Sequence, residues 1–273
     1  MGKAKRIIAS LGIVTGTALC LYADRYFDLM GEADEFIKQE NWEEAENRLV
    51  QALAERPNDP TNVMIYSNLG IAQYNLGKDS LALKSMARAL EIAPTSTALL
   101  KNRADMYIGM GKSDAAYADY SEIIRLDSVS VEPLYMHAML SINKENFDAA
   151  FSDCRRLAQI APEDISTNVA CASYYSAKEE WENAIPYYTK VIEKQPSPDM
   201  YAGRAVCYLM LTRLAEASAD INSGLEIDPD NSELYMYRAH LNKMRYSRDD
   251  ARRDMEKALR LSRRNSTAAQ PEK

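Results

Sequence analysis

Residues that could hold a metal ion or carry out acid–base chemistry are few and widely spaced in this sequence. The two histidines, His137 and His240, are 103 positions apart. Neither lies in an HExxH motif, and no paired CxxC occurs, so the spacing that a zinc site needs is missing. We expect both histidines to be hydrogen-bonded or solvent-exposed, and we expect no metal ion or other cofactor.

Motifs that position a nucleophile or a nucleotide are missing as well. The sequence contains neither a GxSxG elbow nor a Gly-rich phosphate loop. Adjacent carboxylates such as Glu43 and Glu44 fit solvated helix faces better than an acid–base pair. We therefore predict a protein that is not an enzyme.

The charge of the chain disfavours nucleic acid as a partner and is unevenly distributed. The net charge is −7, from 33 basic and 40 acidic residues, whereas a nucleic-acid binder needs a basic face to neutralise phosphates. Asp24–Asp59 holds eleven acidic and four basic residues, and Arg238–Arg264 holds ten basic and four acidic residues. This asymmetry fits either steering of partners and head-to-tail packing, or ordinary solvated helix faces.

The cysteines do not form a disulfide framework. After Cys20, Cys154, Cys171 and Cys207 remain, which is an odd number without close spacing. Each falls at an apolar helix position, where Cys behaves as a small hydrophobic residue. We expect free buried thiols, with Cys154 and Cys171 able to face each other across consecutive helices.

The N-terminal residues 1–23 have the pattern of a leader segment. Residues 1–6 carry three positive charges, and residues 7–23 carry none. This predicts either a signal peptide cleaved after Ala23 or an uncleaved membrane anchor, for which 17 residues is near the lower length limit. A lipid-attachment site at Cys20 is disfavoured because Leu19 is not small. We expect an exported protein, periplasmic or membrane-anchored in the cell envelope. The alternative is a cytoplasmic protein whose residues 7–23 form a buried capping helix.

An internal repeat indicates the secondary structure of the rest of the chain. An alanine in an amphipathic stretch recurs at intervals of 37, 34, 34, 34, 33 and 34 residues. These alanines are Ala45, Ala82, Ala116, Ala150, Ala184, Ala217 and Ala251. Twelve residues after five of them comes a proline, namely Pro57, Pro94, Pro162, Pro196 and Pro229. A period near 34 that ends on a helix breaker indicates stacked repeats.

Each period predicts one helix, a turn and a second helix. Apolar residues recur at helical spacing on both sides of Gly77 and Gly111, which fall where the turn needs a permissive backbone. A single helix pair cannot bury its apolar face, whereas stacked pairs can.

The repeat resembles the tetratricopeptide repeat (TPR). The second unit shows the resemblance best, with Tyr66, Leu69-Gly70, Gly77, Ala82 and Pro94 at the family's motif positions. Three other units have Arg-Ala in place of Leu-Gly, at Arg103, Arg204 and Arg238. The resemblance implies an all-α, right-handed superhelical solenoid of antiparallel helix pairs. Its repeats are expected at about 26–59, 63–96, 97–130, 131–164, 165–197, 198–231 and 232–265 within a solenoid of residues 24–265. A polar tail, 266–273, follows, and we expect the polar face of the last helix to cap the array.

The resemblance also implies a binding surface, because the first helices of TPR pairs line a groove that holds a peptide or a partner helix. The groove residues implied here are Met64, Ser67, Asn68, Ile71, Tyr74, Lys101, Asn102, Asp105, Tyr135, Met139, Asn143, Leu209, Met210, Met236, His240 and Met244. Methionine suits adaptable apolar surfaces. The amides of Asn68 and Asn102 can pair with both polar groups of a peptide backbone. The alternative for each residue is an ordinary packing or solvent position.

One TPR subtype clamps a C-terminal carboxylate with polar and basic groups. This chain departs from that pattern, because Ser67, Ile71, Ala98 and Met136 occupy places that the clamp needs. A receptor for chaperone tails is therefore disfavoured.

The function that we expect is a scaffold or adaptor that binds a partner protein or peptide in the groove. Self-association is compatible with the charge pattern. The alternatives are a structural subunit held in a larger assembly through its edges and charged ends, and a co-chaperone.

Overall fold

The computed structural model describes the backbone of residues 14–268 and the side chains of residues 25–264. Within that part of the chain, all regular elements are helices. They are α1 (Val14–Lys38), α2 (Trp42–Glu55), α3 (Val63–Asn75), α4 (Asp79–Ile92), α5 (Thr97–Gly109), α6 (Ser113–Leu126), α7 (Val131–Asn143), α8 (Phe147–Ile160), α9 (Ile165–Ala177), α10 (Trp181–Lys194), α11 (Pro198–Met210), α12 (Leu214–Ile227), α13 (Ser232–Met244) and α14 (Arg248–Ala268), with a 3₁₀ turn at Pro60–Asn62.

The helices form consecutive pairs, and the turn inside each pair has the same backbone conformation. One residue per turn lies in the left-handed region, which lets the first helix end and the chain reverse. These residues are Glu40, Gly77, Gly111, Glu145, Glu179, Thr212 and Tyr246, with φ between 55° and 70°. The sequence predicted this conformation at the two glycines, whereas the other five turns use residues that adopt it at a cost.

The repeat prolines follow the ends of second helices. α2 ends at Glu55, two residues before Pro57, and α4 ends at Ile92, two residues before Pro94. α8, α10 and α12 end in the same way before Pro162, Pro196 and Pro229. Because proline cannot continue a helix, its position fixes where each pair stops.

The repeat alanines lie in the core of the helix pairs. In the second pair, Ala82 lies where the two helices approach each other, since a Cβ on Gly70 would be 3.2 Å from the Ala82 carbonyl oxygen. Six of the repeat alanines are fully buried at 0% exposure, namely Ala45, Ala82, Ala116, Ala150, Ala184 and Ala217. Ala251, in the last pair, is only partly buried.

The chain divides into two compact units, Met1–Asp127 and Ser128–Lys273. In the first unit, Tyr26, Leu29, Leu49, Ile65 and Leu69 belong to one core cluster that joins α1, α2 and α3. In the second unit, one core cluster runs from α11 to α14. Its members include Ala205, Ile221, Leu234, Leu241 and Leu261.

The 37-residue spacing in the first unit is explained by the segment between α2 and α3. The extra residues form the 3₁₀ turn, and Asn62 at its end is fully buried. The Asn62 side chain accepts a hydrogen bond from the Tyr26 hydroxyl at 2.9 Å and donates one to the Arg56 carbonyl at 2.6 Å. The insertion is thereby fixed to both helices of the first pair.

The predicted fold class is confirmed as an all-α series of helix pairs, whereas the repeat bounds stay a prediction.

The expected cap is wrong in one respect: the outward face of α14 is not uniformly polar, since Met255 and Leu259 are 40% and 52% exposed. Both come from the apolar pattern that every repeat shares, which continues into the last helix.

The predicted leader lies mostly outside the described residues. Residues 1–13 are not described, residues 14–23 form the start of α1, and the side chains of Cys20 and Ala23 are not described. Among the helices that the structure describes, none combines the length and apolar character that crossing a bilayer needs.

Candidate functional site

An apolar cleft opens between the first helices of the last two pairs, α11 and α13. Its volume is about 240 Å³, and its walls are Val206, Leu209 and Met210 from α11 and Met236, Tyr237 and His240 from α13. Met210 and Met236 are 56% and 44% exposed. Large apolar side chains that stay accessible beside each other are typical of binding sites.

The local sequence of each helix places these side chains on one face. Ser197 caps α11 by accepting the Met200 N–H at 3.4 Å, and Pro198 is the first residue of that helix. Asn231 caps α13 by accepting the Leu234 N–H at 3.0 Å. From these starts, helical spacing directs Met236 and His240 to the same side, since residues four apart lie one above the other.

Buried side chains beside the cleft face of each helix hold the cleft in place. Ala205 on α11 and Leu234 and Leu241 on α13 are buried, at 0–1% exposure, and belong to one core cluster. Because the interior is close-packed, the separation of α11 and α13 is set by these contacts and not by whatever fills the cleft.

The cleft wall is uncharged at Tyr237. Burial raises the pKa of the Tyr237 hydroxyl, and the hydrogen bond that it donates to the Glu233 carboxylate raises it further. The phenol is therefore neutral at physiological pH, and its hydroxyl is held by the Glu233 carboxylate.

Four of the predicted site residues in the second unit meet in this cleft, and four others do not. Leu209, Met210, Met236 and His240 line it. Of the others, Met244 is half-buried on α13 and packs against the core cluster of α11–α14. Tyr135 and Met139 on α7 are half-buried, and Asn143 is exposed. Two wall residues were missed, Val206 and Tyr237. Val206 lies one turn before Met210, and this spacing was the signal that could have found it.

The predicted residues of the first unit lie on α3 and α5. Met64 is 63% exposed, and Asn68, Ile71 and Tyr74 are half-buried. On α5, the Asn102 amide donates to the Ser67 hydroxyl at 3.4 Å, which links the two first helices.

Polar side chains around α5 are engaged with each other. Lys101 pairs with Asp105 at 3.0 Å, and the Tyr120 hydroxyl donates to the same carboxylate at 2.7 Å. Asp105 is therefore held by two groups of its own repeat, which makes it a weaker candidate for partner contact.

Tyr74 reaches across to α5 and rests on Gly109. A Cβ atom at residue 109 would lie 1.7 Å from the Tyr74 hydroxyl oxygen, so the position must be glycine for this side-chain placement. The tyrosine thereby contributes to contact between α3 and α5 as well as to the exposed surface.

A set of ion pairs inside the helix pairs was not predicted. Arg103–Asp119, Arg204–Asp220 and Arg238–Asp254 each join the first helix of a pair to its second helix, sixteen residues on. The carboxylates are 5–7% exposed. These arginines come from the Arg-Ala variants of the motif, and they serve packing within a pair rather than the binding surface.

The same position in the fourth pair holds a histidine. His137 lies 2.5 Å from Asp153 through Nδ1, and both side chains are buried. The expectation that this histidine is hydrogen-bonded is confirmed. Among the described residues, no group of three or more His, Cys, Asp or Glu side chains could hold a metal ion.

The predicted free thiols are confirmed for three cysteines. Cys154, Cys171 and Cys207 are buried and unpaired by disulfides. The first two do lie side by side, since the Cys171 thiol approaches the Cys154 carbonyl at 3.8 Å.

Comparison with known proteins agrees with the repeat pattern. The family model described as tetratricopeptide repeat matches residues 30–97 and 171–232. A crystal structure of a tetratricopeptide repeat protein from Parabacteroides merdae is 25% identical, covers 87% of this chain and 93% of that one, and superimposes with a TM-score of 0.71. The chain therefore contains tetratricopeptide repeats.

Curated relatives share the repeats over part of their length. The DnaJ homolog subfamily C member 7 homolog of Dictyostelium discoideum is 23% identical over 207 residues, which is 70% of this chain and 38% of that protein. The Hsp70-Hsp90 organizing protein of Triticum aestivum is 24% identical over 208 residues, covering 61% of this chain and 35% of that protein. This chain thus spans less than half the length of these relatives.

Proposed function

We propose that this chain is a non-catalytic scaffold that binds a partner protein or peptide, and that the cleft between α11 and α13 is its principal contact. The observation that carries this proposal is the pair of accessible methionines, Met210 and Met236, on a rigid apolar cleft. Repeats of this family support it, since stacked pairs present extended surfaces to other proteins.

The chemistry of the cleft favours an apolar side chain as the anchor. Its walls combine two flexible thioethers, an aliphatic pair and the ring of Tyr237, which together can adapt to different apolar shapes. Removing these groups from water supplies affinity in proportion to the area buried. The hydrogen-bonding groups of Asn68 and Asn102 on α3 and α5 add contacts to an extended backbone in the first unit.

Site-specific photo-crosslinking in the native host tests the cleft. A photo-reactive phenylalanine replaces Met236 in one variant and Ile160 in a matched control, whose side chains are 44% and 40% exposed. We expect a defined protein to be crosslinked from residue 236 and not from residue 160. The same products from both positions would overturn the proposal.

A second candidate is a co-chaperone, favoured by the relatives named for DnaJ and for Hsp70-Hsp90 organisation. Against it stand Ile71, Ala98 and Met136, which are apolar where a carboxylate clamp needs polar or basic side chains. Titration of the purified chain with Hsp70 and Hsp90 separates the two. Saturable binding that is weakened by Lys101→Ala and not by Met236→Glu would favour the co-chaperone.

A third candidate, a structural subunit held through its charged ends, is favoured by the acidic residues 24–59 and the basic residues 238–264. Such an assembly would weaken steeply with salt, because contacts between exposed charges are screened. Binding through the apolar cleft would change little between 0.1 and 0.5 M salt.

We further propose that the protein is exported, either cleaved after Ala23 or anchored through residues 7–23. The support is the basic start followed by a charge-free stretch. Cell fractionation with mass spectrometry of the N-terminus tests this. An envelope fraction that starts at Asp24 means cleavage, and an intact N-terminus in that fraction means an anchor. An intact N-terminus in the cytoplasmic fraction would overturn export.

A further inference from the structure

The last helix, α14, carries two apolar residues that are covered at the equivalent positions of earlier repeats. Met255 is 40% exposed, whereas Ile221, one repeat earlier, is fully buried. Leu259 is 52% exposed, whereas Leu225, one repeat earlier, is 8% exposed. Tyr188 and Ile192, two repeats earlier, are 8% exposed each.

In each earlier case the covering element is the first helix of the following pair. Tyr188 packs on Gly203 of α11, where an added Cβ would lie 2.5 Å from the ring. α13 covers α12 in the same way, and Leu234 packs so closely on Gly224 that a Cβ there would lie 2.6 Å away. Met255 and Leu259 therefore form the kind of face that a helix covers in this fold.

The charge around this face is positive. At 100° per residue, Arg248, Arg252 and Arg263 lie on the same side of α14 as Met255 and Leu259, and Glu256 borders that side. Arg252 is 70% exposed and its partner Asp249 is 84% exposed, so their ion pair at 3.3 Å is readily exchanged for another. A covering helix with acidic flanks would match both features of the face.

The first helix, α1, of a second copy of this chain is not such a helix. The face of α13 that covers α12 presents Leu234 and Leu241, and the equivalent residues of α1 are Asp28 and Glu35. Both α1 residues are exposed. Stacking α1 on α14 in the register of the repeats would bury two carboxylates against apolar side chains, which is costly.

We infer that the Met255–Leu259 face of α14 docks an acidic amphipathic helix of a partner protein. Leucines of that helix would cover Met255 and Leu259, as first helices cover their equivalents, and its carboxylates would lie beside Arg248, Arg252 and Arg263. This contact is separate from the cleft between α11 and α13 and does not depend on it.

A designed probe tests the inference on the full chain. The probe is a fluorescent 18-residue amphipathic peptide with leucines along one face and glutamates on both flanks. A control peptide has lysines in place of the glutamates. We expect the acidic peptide to bind and its affinity to fall at least about tenfold in M255Q/L259Q and in 0.5 M salt. The matched control variant is I227Q, since Ile227 is 49% exposed at the end of α12.

Methyl NMR on methionine locates the contact. We expect the Met255 methyl signal to shift on titration while those of Met210 and Met236 stay in place, which distinguishes this face from the cleft. Equal binding of both peptides, an unchanged affinity of M255Q/L259Q, or shifts confined to Met210 and Met236 would each overturn the inference. So would a dimer of the isolated chain that M255Q/L259Q dissociates, because a second copy would then cover the face.

Discussion

The guanidinium of Arg204 donates two hydrogen bonds to the carboxylate of Asp220, from Nε at 2.8 Å and from Nη2 at 2.7 Å. The two side chains are 15% and 6% exposed. A third bond, from Nη1 to the Thr189 hydroxyl at 2.8 Å, joins the pair to α10. Breaking such a pair from one side leaves a buried charge without compensation.

We therefore expect Arg204→Leu to lower the free energy of unfolding by about 3–5 kcal/mol. Arg204→Leu with Asp220→Ser should recover most of that loss, because the second pair of this chain carries Leu69 and Ser85 at the same two positions. Urea unfolding followed at Trp181, in a Trp42→Phe background, measures the free energy of unfolding of the single and the double variant. A single variant as stable as the double variant would contradict the expectation.

The turn of the sixth pair offers a gain in stability. Thr212 is β-branched and adopts a φ of 59°, which is costly for such a residue. Thr212→Gly should raise the free energy of unfolding by about 1 kcal/mol. Gly77→Ala, at the equivalent turn with a φ of 69°, should lower it by about as much. Thermal unfolding with the same midpoint in all three proteins would refute the strain.

The hydrogen bond between Tyr26 and Asn62 should hold the first pair and the insertion together. Tyr26→Phe leaves the buried Asn62 amide short of a donor, which costs about 1–3 kcal/mol. In urea unfolding followed at Trp42, on α2, we expect the transition at a lower urea concentration than in the parent chain. Tyr246→Phe is the control, because Tyr246 is 91% exposed. An equal shift of the transition in the control would show that loss of the Tyr26–Asn62 hydrogen bond is not the cause.

Substitution in the cleft should separate binding from stability. Met236→Glu places a charge on an apolar wall of the cleft. It should lower the affinity for the crosslinked partner at least about tenfold while leaving helicity unchanged. Ile160→Glu, at similar exposure on α8, should have no effect. Asn68→Ala with Asn102→Ala tests the polar contacts of the first unit in the same titration. Unaltered affinity would remove both asparagines from the site.

The buried thiols should react slowly. Burial raises the pKa of Cys207, and the hydrogen bond with Cys171, together with burial, raises the pKa of Cys154. The same hydrogen bond lowers the pKa of Cys171. Cys154 and Cys207 are therefore less ionised at pH 8, whereas the protection of Cys171 rests on burial, which blocks access to all three thiols. In a Cys20→Ser variant, a thiol reagent should modify the native chain at least about tenfold more slowly than the urea-unfolded chain. Rapid labelling of the native chain would show that α8–α11 open locally.

The helix pairs could be predicted from sequence because their signals are local. A proline two residues after a helix, an alanine at the close approach of two helices and a glycine in the turn each act within a few residues. Glu145 and Thr212 carry no such signal, since neither side chain prefers the left-handed region. Their turns could be inferred only from their distance to Gly77 and Gly111 along the repeat.

The site was harder to predict because it depends on neighbours that are distant in sequence. Repeat position alone located Met210, Met236 and His240, yet it did not reveal that they share a cleft with Val206 and Tyr237. The pairing of Arg103 with Asp119 spans two helices and a turn, so helical periodicity alone does not show it. Asn102 is half-buried on α5, and its bond to Ser67 on α3 depends on how the two first helices pack.

The two ends of the array have a consequence for how such a chain can grow. Duplication that adds a helix pair after α14 would cover Met255 and Leu259, which already have the apolar character of an internal layer. An added pair in front of α1 would instead meet Asp28 and Glu35 and would require both to be replaced. We therefore expect lengthened variants of this protein, natural or engineered, to carry their added helix pairs after α14.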